Sequence, residues 1–211
     1  MGMVLTLIAL SDRNLKRLLG DPPLVYRVIH PEDDALYRKV RSDFNRKGFR
    51  SRLLVMKAEG AEDPDSKLHY SEGEGAAADL DKTWHGLHYL FTKTAWKGKP
   101  PLDFLMNGGE PVGTIDLGFG PARVFYHRDA KAIHEAISRI YEDELREKFN
   151  PKEMSEKDIY PQIWDGSGKG ENPLDYLMKY LAVLRGFLEK TAGGNLGFMV
   201  YLSQAGESGS D

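Results

Sequence analysis

Cysteine is absent from all 211 residues. Its absence excludes disulfides, thiolate metal sites and a cysteine nucleophile, and it fits a reducing compartment. Long apolar runs are missing too. The stretch Val4 to Leu10 is apolar, but Asp12 and Arg13 follow at once, whereas a spanning helix needs about 20 apolar residues. No basic residue precedes that stretch, so it does not read as a secretory signal. Positive charge is not in excess either. A net charge of −3 supplies no global field to attract phosphates. The expectation is a soluble cytoplasmic protein that binds neither nucleic acid nor membrane. No cofactor and no metal are indicated, and the oligomeric state is left open.

Familiar catalytic signatures are also lacking. There is no nucleophile elbow and no dinucleotide glycine pattern. The run GSGKGE has no apolar strand before it, and Gly170 stands where a phosphate loop needs Ser or Thr after Lys169.

What is present is ordinary globular composition, 41% hydrophobic and 29% charged, suited to one domain. MVLTLIAL near the start and LGFMVYLS near the end read as strands, and ARVFYH as a third. Helices are expected over SDRNLKRLLG, PPLVYRVI and residues 31–45. A long helix follows Asp129 with Ile133, Ile137, Ile140, Tyr141 and Phe149 on its apolar stripe. Asn150, Pro151 and Glu153 start a further turn, Ser155 with Asp158 suggests a second capping box, and Pro173 opens the last long helix. The fold class is therefore α+β: a small mixed sheet that includes the N- and C-terminal strands, which are expected to pair, packed against several helices. Residues 1–203 form the single domain, with a charged, mobile insert over about 58–78, and 204–211 form a flexible tail.

Charge reverses inside that insert region. Residues 38–57 hold eight Lys or Arg and one acid, and residues 58–81 hold eight acids and one Lys. Mutual screening of two solvated faces is the simplest account.

Chemistry concentrates in DLDKTWHGLHYLFT, residues 79–92. At about 100° per residue, Trp84, Leu87 and Phe91 share one helical stripe, while Asp81, His85, His88 and Thr92 line its edge. Three readings are open. His85 and His88 could face one metal ion, but the zincin Glu and a third ligand are missing. Asp81 could orient His85 for acid–base work. Or the set is structural, with Asp81 capping the helix or bonding His85, and His88 bonding a neighbouring backbone. The last is preferred. Elsewhere Arg123 and His127, an even number apart on a strand, could hold an anion. Tyr160 and Trp164 in IYPQIWD could line a pocket or plug the core.

Together LDKTWHGLHYLFT, PLDFLMNGG, GPARVFY, IYPQIWD and LDYLMKYLAVLRGFLEKTA resemble the YfbM-like family of bacterial proteins, a domain of unknown function. The likeness covers both ends and everything from about Asp79 onward; residues 33–78 look longer and more charged than the family. It implies a cytoplasmic, single-domain α+β protein and transfers no catalytic residue. Two functions follow as expectations. One is a binding protein that sequesters a protein partner, in the manner of immunity proteins, through the acidic loop over 58–81 and exposed aromatics, with Trp84, Arg123, His127, Tyr160 and Trp164 as candidate binding residues. The other is a small hydrolase or transferase using Asp81, His85 and His88, with Arg123 or His127 holding an anionic substrate.

Overall fold

The two terminal apolar runs pair with each other along their whole length. In the computed structural model, which describes residues 2–51, 68–166 and 172–205, strand β1 (Met3–Leu10) lies antiparallel to β5 (Gly197–Gln204), from Met3 opposite Gln204 to Leu10 opposite Gly197. The other strands are short: β2 (Ala77–Asp79), β3 (Glu110–Pro111) and β4 (Arg123–Phe125). The sheet order is β2-β1-β5-β4-β3. The α+β class holds, with one correction: all four ladders are antiparallel rather than mixed. Gly197 is needed where β5 meets β4, because a Cβ there would fall 2.2 Å from the Phe125 carbonyl oxygen.

Alternation along the strands divides the core in two. Leu5, Leu7, Ala9, Phe125, Phe198 and Val200 face one side. They pack under α4 (Trp84–Thr92), α5 (His127–Ser138) and α8 (Pro173–Gly193). Ile8, Leu10, Val124 and Met199 face the other side. There they meet α1 (Asp12–Gly20), α2 (Val25–Ile29) and Tyr37 of α3 (Asp34–Ser51). Helices on both faces explain why β1 and β5 read as continuous apolar runs.

The expected long helix after Asp129 is two helices, α5 and α6 (Glu142–Lys148). Arg185 of α8 donates to the carbonyls of Ile140 at 2.6 Å and Ile137 at 3.5 Å, satisfying the interrupted end. Tyr141 is consequently in solvent, not on the apolar stripe. The residue at the start of α5 is Tyr126, whose backbone N donates to Asp129 Oδ2 at 3.0 Å. Asn150 caps α7 (Pro151–Glu156) as expected, and Ser155 lies inside that helix instead of starting a new one.

Much of the charge reversal, including residues 52–67, lies outside the described residues. The end of the expected mobile insert does not float. The Glu74 carboxylate accepts from Ser11 N, Asn14 Nδ2 and Ser71 N at 2.6–2.8 Å, and Ala77–Asp79 pairs with β1. Gln204 belongs to β5 and Ala205 N donates to Gly2 O, so the expected tail starts later than 204; residues 206–211 lie outside the described residues.

Candidate functional site

Helix α4 is entered through a turn that only a few residue types accept. Asp81 takes φ 44°, in the left-handed region that Asp visits more readily than most. Thr83 Oγ1 donates to Leu80 O at 2.6 Å, closing the turn. Every residue from Trp84 to Phe91 is buried, so His85 and His88 on the edge of the stripe lie inside the core. Gly86 makes this burial possible: a Cβ there would lie 2.7 Å from Leu177 and 2.8 Å from the Trp164 ring.

Both histidines are fully buried. His85 Nδ1 accepts from Tyr160 N at 3.0 Å, so its proton sits on Nε2, which donates to Ala95 O at 2.8 Å. Burial lowers its pKa. His88 Nε2 donates to Lys97 O at 3.1 Å, and its Nδ1 is buried with no hydrogen-bond partner. Burial first, and then the neighbouring His85, push the His88 pKa down to about 4. Both rings are neutral donors to backbone.

Asp81 does not reach His85. Its carboxylate accepts from Tyr176 Oη at 2.6 Å, and burial together with that bond raises the tyrosine pKa. Trp84 Nε1 donates to Met3 O at 3.2 Å, Trp164 Nε1 donates to Ile159 O at 2.8 Å, and the Tyr160 hydroxyl accepts from Met3 N at 2.7 Å. Tyr160, Trp84 and His85 stack in series, with ring centroids 5.7 and 5.1 Å apart, and the exposed Trp96 continues the series 4.6 Å beyond His85. The structure thus gathers Trp84, His85, His88, Tyr160 and Trp164 around α4, in packed core.

Arg123 and His127 lie apart from them and do not share a strand face, because β4 ends at Phe125 and His127 begins α5. The Arg123 guanidinium donates to the carbonyls of Phe104, Leu105, Asn107 and Gly108 at 2.7–3.2 Å; burial lowers its pKa to about 10. It fastens a loop that turns four carbonyls inward. His127 Nδ1 lies 2.6 Å from Asp12 Oδ2, and its backbone N donates to Asp12 Oδ1 at 2.9 Å, tying α5 to the first turn of α1.

Among the described residues no three His, Asp or Glu side chains are placed to share a metal ion. A cleft of about 390 Å³ opens at the far end of the second sheet face, lined in part by Thr6, His30, Asp116, Tyr201 and Ser203. None of the residues singled out in the sequence lines it. No helix among the described residues is long and apolar enough to cross a membrane.

Trp96, Asn107, Tyr176 and Asp12 escaped the sequence reading. Trp96 carried the only usable signal, an aromatic set between lysines in a loop. The partners of Tyr176 and Asp12 are 95 and 115 residues away.

The family model of a domain of unknown function, DUF1877, matches residues 1–201. A crystal structure of a protein of unknown function, YfbM from Escherichia coli, superposes with a TM-score of 0.56 at 14% identity, covering 93% of this chain and 98% of that one. That likeness is one of fold. No curated protein matches the chain.

Proposed function

The chain belongs to the DUF1877 family, a domain of unknown function, and we propose that it acts by binding a protein partner rather than by turning over a substrate. The observation that supports this reading is the state of α4. His85 and His88 spend their ring protons on the Ala95 and Lys97 carbonyls, and Asp81 is bonded to Tyr176. A hydrolase or transferase built on these three needs them to converge on open space, and the geometry lends that alternative no support. The partner would be held rather than transformed, as immunity-type proteins hold theirs, and a cytoplasmic location belongs to the same reading.

Affinity capture by the full chain from lysate of its source cells, set beside a panel of hydrolase and transferase substrates, tests it. The reading expects a stoichiometric protein partner and no turnover. Turnover that His88→Gln abolishes without shifting the unfolding midpoint would sink it.

A further inference from the structure

Three successive carbonyls in the loop after α4 are each taken by a side-chain donor. His85 Nε2 donates to Ala95 O at 2.8 Å, Asn107 Nδ2 to Trp96 O at 2.9 Å, and His88 Nε2 to Lys97 O at 3.1 Å. Thr94 adds to the brace, its N donating to Thr92 Oγ1 at 3.2 Å and its hydroxyl to Lys97 O. Loops at a surface are ordinarily the mobile part of a fold, yet this one is clamped residue by residue, and by two fully buried imidazoles. The clamped segment carries outward a tryptophan that is 58% exposed, its ring backed by His85.

We propose that the Trp96 loop is a preformed docking surface for an acidic protein patch. This rests on the binding reading above and names where the partner sits. Exposed tryptophans held rigid are the side chains that most often dominate an interface, because they bring large area at little entropy cost. The rim supplies the sign of the partner. Lys97 and Lys99 flank Trp96 and are both exposed. Among the described residues no acid pairs with either. The sequence has no Asp or Glu between Asp81 and Asp103, and Asp103 is itself buried. Lys93 is not part of the rim, since Glu153 and Tyr89 hold it at 2.9 and 2.5 Å. Two exposed lysines with no ion pair among the described residues, on a chain of net charge −3, suit a compact acidic patch on a protein. A nucleic acid or an anionic membrane gains affinity from many cations acting together.

The test places a photo-crosslinking phenylalanine derivative at position 96 of the full chain in source cells, with a second probe at the exposed Val183 of α8 as control. The proposal expects a crosslink to one protein from 96 and not from 183. It also expects the crosslink to vanish in Lys97→Glu/Lys99→Glu, whose side chains are exposed, with the circular dichroism spectrum unchanged. With the purified partner, titration calorimetry should show at least about tenfold weaker binding for that pair and for Trp96→Ala, and a loss with added salt. A partner captured by the full chain but crosslinked only from 183, or indifferent to the charge reversal, overturns this surface and leaves the binding reading standing. A crosslinked nucleic acid or lipid overturns it as well. No partner by either route overturns both.

Discussion

His88 carries an unusual cost at the scale of a single residue. One ring nitrogen donates to Lys97 O and the other is buried without a partner among the described residues. His88→Gln should cost about 1–3 kcal/mol, the range for disturbing a buried hydrogen bond, read as a lower urea midpoint. The ring also makes stability depend on pH. Its folded pKa, about 4, lies below the unfolded value of about 6.5. The contribution of the neutral ring is therefore complete above pH ~6.5 and lost as the pH falls toward 4, a loss on the order of 3 kcal/mol. Unfolding free energy measured against pH should fall through that window in the wild type and more shallowly in His88→Gln. NMR titration should find both imidazoles neutral at pH ~6.5, where a free histidine is half protonated. A ring that titrates at the free value and shifts on adding zinc or phosphate would reopen α4 as a site.

Elements show where local sequence was sufficient and where it was not. Helix α8 was legible from its Pro173 start, its Leu and Met spacing and the glycines at its end. β1 and β5 were legible as uninterrupted apolar runs. α4 was placed well and its Trp84, Leu87 and Phe91 stripe is buried, but so is the opposite side: His85 and His88 count as polar in any periodicity, and nothing in WHGLH reveals that Ala95 and Lys97 will bring carbonyls to them. The break between α5 and α6 depends on Arg185, 45 residues farther along, and is invisible to an apolar stripe that continues through Ile140. The glycine of α4 offers a sharp test of the packing. In an isolated helix Gly→Ala gains about 1 kcal/mol. Gly86→Ala should nevertheless destabilise, by about 1–3 kcal/mol, because the added methyl meets Trp164 and Leu177. A raised melting temperature would show that those side chains can move aside.

For the molecule as a whole, β5 is the shared wall of both cores. Phe198 and Val200 face α4, α5 and α8, while Met199 faces α1 and α2. Removing residues 197–211 should therefore abolish both layers together. The truncated chain should lack a cooperative thermal transition by calorimetry, and a surviving transition would mean that one layer folds without the other. The order of the strands has a bearing on biosynthesis. β5 occupies the middle of the sheet, between β1 and β4, yet it is translated after every other strand. Until it emerges, β1 and β4 have no common neighbour, and Leu5, Leu7 and Phe125 wait at the ribosome with their apolar faces unmatched. The growing polypeptide can form helices early, but its centre closes only once β5 has emerged, and until then those apolar faces are open to non-native contacts.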